Sequence, residues 1–366
     1  MSNRRVELFI FTSNDCNLGC SYCSVLNSPS QKFPVAPQYK VDQLIKFIID
    51  LSKKLNKTCV DIFFFGGEPT LNTTYIEEII SNTLKFKGIA FRYILHTNGL
   101  LLHTLSDLIL SNLSSIIVSI NYEKIPNKNL EGSYFGKVID NVRKTKERKN
   151  IAIMARLTIT ENVSLYNNVV QVASFFDSIY WQIQNCESFD NFDTYFHNYK
   201  YELRLLWEYW NNYIEKGVVL NLLPFVAPFT LKNEITKSLG KYLCGYNDFM
   251  FYIQTNGECY SCAEEILDSE YFNIGNIYEG IKIKVKKPDF LVETCNKCTY
   301  YFYCQGRCGR MQERFSKNHI EEYCQLSKEL FELVSSNYEQ VATNKVFMEY
   351  IKKIDNLMLG MTEYLP

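Results

Sequence analysis

The stretch VELFIFTSNDCNLGCSYC, residues 6–23, sets three cysteines on a short segment directly after an apolar run. Cys16, Cys20 and Cys23 have C-x3-C-x2-C spacing, and Tyr22 precedes the last of them. Thiolates this close together can bind three irons of a 4Fe-4S cluster, which usually takes four cysteine ligands. The fourth iron would then be open to a ligand that carries an amine and a carboxylate. A zinc site is the alternative interpretation of the triplet alone.

Three more motifs follow apolar runs that are typical of β-strands. GGEPT, residues 66–70, comes directly after VDIFFF, and paired glycines allow the backbone to turn and to approach a ligand closely. TNG, residues 97–99, ends the run RYILHTNG, where Asn98 taken alone is typical of a turn. Ser119 and Asn121 end a fourth run, IIVSIN. Four such motifs indicate one shared site, because parallel barrels carry their chemistry at the C-terminal ends of the strands.

The alternation of apolar runs with helical patterns predicts an α/β fold with a parallel sheet. Strands are predicted at 6–12, 59–65, 90–97, 115–121, 151–159 and 178–184, and helices at 41–56, 73–86, 103–113, 133–149 and 163–176. Six strand-helix units are too few to close an eight-stranded barrel. The predicted fold is therefore a partial (βα)6 TIM-like barrel.

In these motifs and in their order the chain resembles the radical SAM superfamily. The resemblance implies that Cys16, Cys20 and Cys23 hold a 4Fe-4S cluster that binds S-adenosylmethionine (SAM). It implies SAM contacts for Gly66, Gly67, Glu68, Pro69, Asn98, Ser119, Tyr22 and Arg156. Relatives often read SLDG at the fourth strand, so this chain keeps the serine and has Asn121 in place of the acid. Arg156 either faces the SAM carboxylate or pairs with a nearby acid.

A second set of cysteines fills the C-terminal part of the chain, where eight of the thirteen lie from Cys244 to Cys324. This field, with its G-x4-C and C-x2-C-x5-C-x3-C spacings, resembles the SPASM extension of radical SAM enzymes. The resemblance implies two auxiliary 4Fe-4S clusters. The second would be held by Cys295, Cys298, Cys304 and Cys324, and the first by Cys244, Cys262 and Cys308, with Cys259 as its predicted fourth ligand.

Zinc and disulfides are the alternatives for this field. C-x2-C pairs suit tetrahedral zinc as well as iron-sulfur clusters. A disulfide framework would require an oxidising compartment. No signal peptide is expected, because Glu7 interrupts the N-terminal apolar run and the run leads straight into the cysteine triplet. An alternative of another class is a non-catalytic iron-sulfur or zinc protein that binds a peptide without cleaving SAM.

Composition bounds the partners and the organisation. The formal net charge is -1, which gives no electrostatic footprint for nucleic acid. No apolar stretch approaches the ~20 residues that a membrane span needs, so a cytoplasmic protein without membrane contact is expected. The predicted domains are the barrel at 1–217, a connection at 218–240, the SPASM domain at 241–326 and C-terminal helices at 327–366.

Three predictions concern the chain after the sixth predicted strand. A helix at 195–216 with an aromatic stripe is expected to pack on the barrel. The stretch LNLLPFVAPFTL, which contains Pro224 and Pro228, is expected to be a connection. The last helices are expected at 321–341 and 343–359.

The resemblance implies reductive cleavage of SAM to a 5'-deoxyadenosyl radical that removes hydrogen from a substrate. SPASM enzymes mostly modify peptides or proteins, so we predict maturation of a ribosomally synthesised peptide by a thioether or carbon-carbon crosslink or by epimerisation. The alternative is an anaerobic sulfatase-maturating type enzyme. That type has an aspartate, its proposed general base, directly after the G-x4-C cysteine, where this chain has Ala263. Glu264 is the candidate substitute.

Epimerisation would need a hydrogen donor, and Cys186 just past the sixth strand is the candidate. His96 could line the cavity, although a lone histidine is more often part of hydrogen-bonded structure. The first strand begins within ten residues of the start, so no leader-binding domain is expected before it. Substrate delivery then needs a separate leader-binding protein or a surface of residues 195–240. An electron donor such as flavodoxin or ferredoxin is also expected.

Overall fold

The structure is a computed structural model. It describes residues 5–20, 22–23, 33–121, 134–231, 244–246, 248–264, 273–282, 295 and 297–354. The chain forms two compact units. Unit 1 comprises Met1–Ile120, Lys124–Ile153 and Gly245–Lys286, and unit 2 comprises Asn121–Glu123, Met154–Cys244 and Lys287–Pro366.

Strands and helices alternate along the first half of the chain. The strands are β1 (Arg5–Ser13), β2 (Cys59–Gly66), β3 (Ala90–Thr97), β4 (Leu113–Ser119), β5 (Ala152–Ile159), β6 (Ser178–Ile183), β7 (Met250–Ile253), β8 (Glu258–Tyr260), β9 (Gly275–Asn276) and β10 (Gly280–Ile281). The helices are α1 (Val41–Lys54), α2 (Thr73–Thr83), α3 (Asp107–Asn112), α4 (Tyr134–Arg148), α5 (Leu165–Val172), α6 (Phe192–Glu215), α7 (Leu223–Leu231), α8 (Tyr301–Cys304), α9 (Gly309–Arg314), α10 (Lys317–Ser336), α11 (Tyr338–Ala342) and α12 (Lys345–Lys353). The predicted parallel α/β fold is confirmed.

Unit 1 is built on a sheet with the strand order β10-β9-β8-β7-β1-β2-β3-β4. β1 to β4 pair in parallel, and their long apolar sequences are typical of strands that are buried on both faces. β7 lies parallel to β1 on its other side, with a register from Glu7↔Met250 to Ile10↔Ile253. β7 to β10 then pair antiparallel. The sequence did not predict these four short strands, and their pairing makes residues 250–281 part of unit 1.

One face of the unit 1 sheet is covered by helices, and the opposite face carries side chains in layers. On the helix side, Thr83 of α2 lies 2.7 Å from the Tyr93 hydroxyl. On the other side, Glu7, Asp61 and Arg92 are register partners and form a charged layer. The next layer contains Tyr252, Phe9 and Phe63, and the layer nearest the C-terminal strand ends contains Phe11, Phe65 and His96. We call Phe9, Phe63, Phe65, Tyr252 and His96 the aromatic face.

Close ring contacts hold the aromatic face together. The rings of Phe9 and Phe63 stack at 4.2 Å, and those of Phe9 and Tyr252 at 4.4 Å. Phe65 contacts the His96 ring at 5.1 Å. Such aromatic pairs add about 0.5–1.5 kcal/mol each beyond their burial.

The charged layer closes the N-terminal end of this face. Asp61 is buried and accepts a hydrogen bond from Arg92 Nε at 2.6 Å, while Arg5 Nη2 lies 2.7 Å from Glu7 Oε1. Because burial outweighs the attraction of Arg5, the pKa of Glu7 is raised to about 7. This end of the sheet is thus filled by paired charges, and the reactive chemistry belongs at the opposite end.

Unit 2 contains the parallel pair β5–β6 and helices α5 to α12. Within the stretch expected to be a connection, Leu223–Leu231 form helix α7, which the sequence did not predict. Pro228 lies inside the helix and removes one donor, but Phe225 is fully buried and packs on Trp181, Trp207 and Trp210 at 5.1–5.4 Å. Aromatic burial here outweighs the local cost of proline.

The remaining differences concern helix ends. α6 begins at Phe192, three residues before the prediction, because Asn191 caps it by accepting a hydrogen bond from Thr194 N at 3.0 Å. The helix predicted at 321–341 begins at Lys317, where Ser316 is the cap, and is interrupted at Asn337. The predicted helix at 343–359 starts at Lys345, and its described part ends at Lys353.

Candidate functional site

The segment that carries Cys16, Cys20 and Cys23 leaves β1 and is anchored at once by Asn14. Its side-chain Nδ2 lies 3.0 Å from Pro34 O, 3.0 Å from Gln254 Oε1 and 2.7 Å from Thr255 Oγ1. Since Gln254 and Thr255 form the turn between β7 and β8, this turn positions the start of the cysteine segment.

The GGEPT loop lies directly against the cysteine segment. Gly67 N donates to Ser13 O at 2.9 Å, and Glu68 N donates to Asp15 O at 2.8 Å. A Cβ atom at Gly66 would overlap Ser13 O, and one at Gly67 would overlap Asp15 O. Gly66 also has a φ of 133°, which favours glycine. Both glycines are therefore explained by close backbone contact with the cysteine segment.

The Glu68 carboxylate links the GGEPT loop to the TNG loop. It accepts hydrogen bonds from Thr70 N at 3.1 Å, Thr70 Oγ1 at 2.6 Å, Thr97 Oγ1 at 2.6 Å and Asn98 N at 2.7 Å. Burial raises the pKa of Glu68, and these donors oppose the shift by favouring the charged form. Glu68 thus organises the two loops, a role that the sequence did not indicate.

Asn98 continues the connection to the cysteine segment. Its Nδ2 donates to Asn17 Oδ1 at 2.7 Å and lies 3.9 Å from Cys16 Sγ. Its Oδ1 accepts from Leu100 N at 3.0 Å, which is the turn role expected of this residue. The Tyr134 hydroxyl lies 3.0 Å from Asn98 O and 3.1 Å from Ser119 O, so β3 and β4 end at the same place.

Cys16, Cys20 and Cys23 are half-buried free thiols. Burial raises the pKa of the Cys16 thiol to about 12, and Cys20 and Cys23 contribute to the shift through their proximity. Leu18 N donates to Cys16 Sγ at 3.4 Å, which favours a thiolate. Nearby thiols with backbone donors suit an iron-sulfur cluster, because iron deprotonates its cysteine ligands.

A single-ion site is not supported in the part of the chain that the structure describes. No group of three or more His, Cys, Asp or Glu side chains there is arranged to hold one metal ion. Cluster ligands need not converge in this way, since each thiolate binds a different iron. All thirteen cysteines lie in the described residues, and each is a free thiol.

Three other predicted residues have defined partners. Tyr22 hydrogen-bonds the Cys20 thiol. Arg156 Nε donates to Gln182 Oε1 at 3.0 Å, so its partner among the described residues is an amide rather than the acid that one alternative predicted. Asn121 is buried, and its amide bonds the backbone of Thr158 on β5 at 2.9 and 3.1 Å, which is a structural role.

Cys186, predicted as a hydrogen donor, lies in unit 2 against a tyrosine that the sequence did not indicate. Its N donates to Tyr323 OH at 3.0 Å, and its Sγ is 3.4 Å from the same oxygen. Tyr323 is fully buried on α10, and its hydroxyl donates to Gln184 O at 2.6 Å. His319 Nε2 is 2.8 Å from Cys186 O. The loop after β6 is thus held by one face of α10.

The cysteines predicted to hold the second auxiliary cluster all lie in unit 2, and their thiols raise one another's pKa. Cys298 and Cys324 raise the pKa of Cys295, and Cys324 and Cys295 raise that of Cys304, although burial is the largest cause for both. The pKa of Cys304 is raised to about 12. Arg307 lowers the pKa of both Cys304 and Cys324, so a cation faces this group of thiols.

The predicted ligands of the first auxiliary cluster and the candidate base Glu264 differ in burial. Cys244, Cys262 and Cys308 are half-buried. Cys259 is fully buried in the middle of β8, where its Sγ lies 3.8 Å from Gly257 O, and burial raises the pKa of this thiol. Glu264 is half-buried just beyond Cys262. Their ligand and catalytic roles stay predictions.

Helices of membrane-spanning length and apolarity are absent from the described residues.

Comparisons with known proteins agree with these observations. The sequence model of the radical SAM superfamily matches residues 10–162, which include the cysteine segment and the GGEPT and TNG loops. A cysteine-type anaerobic sulfatase-maturating enzyme of Clostridium perfringens strain ATCC 13124 is 24% identical over 371 residues, covering 91% of this chain and 96% of the relative. The radical SAM cyclopropyl synthase TigE of Paramaledivibacter caminithermalis is 29% identical over 104 residues, covering 25% of this chain and 22% of TigE.

Solved structures share the fold. One described as "Native anSMEcpe with bound AdoMet" has a TM-score of 0.70 and 22% identity, covering 92% of this chain and 99% of the other. A second, with bound AdoMet and the Kp18Cys peptide, has a TM-score of 0.68 and 21% identity, covering 96% and 100%. Together with the matched residues and the joined loops, these findings identify residues 10–162 as a radical SAM domain, and the protein is an enzyme that uses SAM and a 4Fe-4S cluster.

Proposed function

We propose that this radical SAM enzyme modifies a residue of a peptide or protein substrate. The observation that supports SAM-dependent radical chemistry is the joining of three loops by Glu68, which brings the GGEPT and TNG backbones against the cysteine segment. The similarity to sulfatase-maturating enzymes over 91% of this chain supports a peptide or protein as substrate.

The residues of the site have separable roles in this proposal. Cys16, Cys20 and Cys23 hold the cluster, which together with SAM supplies a radical that removes hydrogen from the substrate. Gly66, Gly67, Glu68 and Pro69 form the loop that contacts SAM, and the Glu68 carboxylate keeps this loop in place. Asn98, Ser119, Tyr22 and Arg156 complete the SAM contacts, with Gln182 orienting the Arg156 guanidinium.

We also propose two auxiliary 4Fe-4S clusters. Cys295, Cys298, Cys304 and Cys324 hold one of them, and the support is their mutual effect on pKa together with the cation Arg307. Cys244, Cys262, Cys308 and Cys259 are proposed for the other on sequence spacing alone. An electron donor such as flavodoxin or ferredoxin and a separate leader-binding protein remain proposed partners.

The modification itself is proposed to be maturation of a ribosomally made peptide, by a crosslink or by epimerisation. The Cys186–Tyr323 contact supports a hydrogen-donor role for Cys186, because the Tyr323 hydroxyl lies 3.4 Å from the Cys186 Sγ. Sulfatase maturation is the second candidate and is favoured by the Clostridium relative. Ala263 argues against it, since the aspartate of that enzyme type is missing from this chain, and Glu264 is the proposed replacement.

Iron counting and SAM cleavage test the enzyme and its clusters together. Anaerobically reconstituted wild type should hold about twelve irons and release 5'-deoxyadenosine, and a Cys16/Cys20/Cys23 to Ala variant should keep about eight irons and release none. Retained cleavage in that variant, or zinc in place of iron, would contradict the proposal.

A peptide panel then identifies the substrate class. Short synthetic peptides with a single central Cys, Ser, Thr or aromatic residue are incubated with SAM and reductant, and products are read by mass spectrometry in deuterated water. Loss of two hydrogens indicates oxidation, and gain of one deuterium at unchanged chemistry indicates epimerisation. A wild type that forms 5'-deoxyadenosine but changes no peptide and no precursor encoded nearby would contradict a peptide substrate.

A further inference from the structure

We infer that Arg307 sets the reduction potential of the second auxiliary cluster, as a fixed positive charge beside the thiolates that hold it. This cluster is the one proposed at Cys295, Cys298, Cys304 and Cys324. The inference deepens the proposed function and rests on it. It starts from the position of Arg307 in the three-residue spacer between Cys304 and Cys308.

The backbone of this spacer adopts a conformation that residues other than glycine rarely take. The φ angles of Gln305, Gly306 and Arg307 are 47°, 87° and 62°, so three successive residues lie in the left-handed region. Two hydrogen bonds close the turn, from Gln305 N to Tyr301 O at 2.7 Å and from Arg307 N to Cys304 O at 2.9 Å. A side chain in this region carries a steric cost, and such strain points to a role for the residue that bears it. Position 307 would suit glycine, so the reason for an arginine lies in its side chain.

The guanidinium of Arg307 is fixed on one face of α10. Its Cζ lies 4.9 Å from the centre of the Tyr323 ring, and its Nη1 donates to Ser327 Oγ. Tyr323 and Ser327 are one helical turn apart, and a ring face together with a hydroxyl gives the planar cation a defined place. Cys324 follows Tyr323 directly, and Cys304 accepts from the Arg307 backbone. The fold therefore brings this charge to two ligands of the second auxiliary cluster.

Both neighbouring ligands respond to the charge. Burial raises the pKa of the Cys304 and Cys324 thiols, and Arg307 is the largest of the effects that lower it. Glu321 raises the pKa of Cys324 by less than Arg307 lowers it, so this acid does not cancel the guanidinium. Lys328 also lowers the pKa of Cys324, but this lysine is exposed to solvent, whereas Arg307 is half-buried and less screened by salt. The guanidinium thus favours the more negative state of these thiols.

A positive charge at this place changes the redox equilibrium of a bound cluster. A 4Fe-4S cluster on four thiolates gains one negative charge when it is reduced, and net charge and surroundings set its potential. A nearby cation stabilises the reduced form more than the oxidised form and so raises the potential. By Coulomb's law with an effective dielectric constant of about 20, one charge within about 10 Å shifts this equilibrium at least tenfold.

A higher potential suits the oxidation that completes the proposed reaction. Hydrogen removal leaves a substrate radical, which becomes a closed-shell product when it loses one electron and one proton. The oxidised cluster takes up the electron, and the proton passes to the base, for which Glu264 is proposed. Arg307 therefore makes the second auxiliary cluster a better acceptor for the electron of the substrate radical.

A redox titration monitored by electron paramagnetic resonance tests the inference on the full-length protein. The parent protein is the cysteine-triplet variant described above, because only the auxiliary clusters remain in it. The signal that disappears in a further Cys295/Cys298 to Ala variant belongs to the second auxiliary cluster. We expect Arg307→Gln to raise the oxidised-to-reduced ratio of this cluster at a fixed potential at least tenfold, which is a decrease of about 59 mV in its one-electron reduction potential. The signal of the other auxiliary cluster should not move.

Two further variants separate the charge of Arg307 from its packing. Arg307→Lys keeps the charge, so the ratio should stay within about threefold of that of the parent protein. Lys328→Gln removes an exposed cation that acts on the same thiols and is the matched control, with a change below about threefold that vanishes at ~1 M salt. The effect of Arg307→Gln should persist at that salt concentration. Glutamine is a suitable replacement, because Gln305 takes the left-handed conformation in the same turn.

The outcomes distinguish the inference from the function on which it rests. An unchanged potential in Arg307→Gln, or equal shifts in the Gln and Lys variants, would overturn the inference. If Arg307→Gln assembles no second auxiliary cluster, retention of the cluster by Arg307→Lys supports the charge, and its loss from both variants gives Arg307 a folding role and overturns the inference. A parent protein with no iron signal that depends on Cys295 and Cys298 would contradict the second auxiliary cluster itself, and the inference with it.

Discussion

The variant Glu68→Gln tests whether the Glu68 carboxylate joins the GGEPT and TNG loops or binds SAM directly. In the best orientation the amide oxygen of the introduced glutamine faces Thr70 and Thr97, and its NH2 group then faces Asn98 N–H. The variant loses one charge-assisted hydrogen bond, and the glutamine NH2 group and the Asn98 N–H are then two donors that face each other in a buried site. Such a loss costs about 2–4 kcal/mol.

The assay is anaerobic denaturant unfolding together with the SAM dissociation constant. We expect Glu68→Gln to lower the free energy of unfolding by about 2–4 kcal/mol and to weaken SAM binding as a consequence. Glu78→Gln is the control, because Glu78 is exposed on α2 and should change stability by less than about 0.5 kcal/mol.

Thr97→Val sharpens the result, since it removes the hydroxyl that donates to Glu68 and accepts from Gly99 N at 3.1 Å while leaving the carboxylate in place. If the carboxylate joins the loops, Glu68→Gln and Thr97→Val should be coupled by at least about 0.5 kcal/mol in a double-mutant cycle. Weakened SAM binding with unchanged stability and no coupling would refute the reasoning and make Glu68 a direct SAM ligand.

Three more predictions follow from described contacts. Burial raises the pKa of Glu7 from 4.5 to about 7, so the folded state favours the protonated carboxyl. The contribution of Glu7 to the free energy of unfolding should therefore be fully present below pH 4.5. It should fall by up to about 3 kcal/mol as the pH rises through 7. Glu7→Gln should remove this loss and be the more stable protein at pH 8 in denaturant titrations, and an unchanged pH profile would contradict the prediction. Gly67→Ala should abolish SAM cleavage because the added Cβ overlaps Asp15 O. Gly19→Ala in the cysteine segment is the control, because its Cβ meets no atom within 4 Å and SAM cleavage should be retained. Equal activities of the two variants in a 5'-deoxyadenosine assay would argue against close backbone contact at Gly67. Tyr323→Phe should cost about 1–3 kcal/mol and speed alkylation of Cys186, since it leaves Gln184 O and Cys186 N without their hydroxyl partner; an alkylation rate equal to wild type would mean that the phenol does not shield the thiol.

The sequence predicted the parallel strands well because each is a long apolar run that ends in a motif. β3 matches its predicted bounds, and β1 and β2 differ from theirs by one residue at one or both ends. β7 to β10 were missed because strands of two to four residues have too little pattern, and only pairing with distant strands stabilises them. α7 was missed because Pro224 and Pro228 locally favour a break, whereas burial of Phe225 is a property of the tertiary structure.

In the site, too, the residues with local sequence signals were predicted and those defined by long-range contacts were not. Cysteine spacing and glycine pairs are local signals, so the cysteine segment and the GGEPT loop were evident. The contacts of Glu68 with Thr97 and Asn98 join residues about thirty positions apart, and threonines carry no sequence signal for such a role. Tyr323 was missed for a similar reason, since a tyrosine on a helix is usually core. A shared carboxylate could have been suspected only from the acid in GGEPT.

The pairing of β7 with β1 has a consequence for the integrity of the protein. β1 is the first strand in the chain, yet it has hydrogen-bonding neighbours on both sides, β2 and β7, and the second arrives more than two hundred residues later. During synthesis β1 must therefore wait with one edge open, and an apolar edge strand is a template for aggregation. A fragment that ends at residue 217 would keep that edge exposed permanently. Its solubility should be poor even though the cysteine triplet and the GGEPT motif are both present, and expression of such a fragment should yield inclusion bodies rather than a working minimal enzyme.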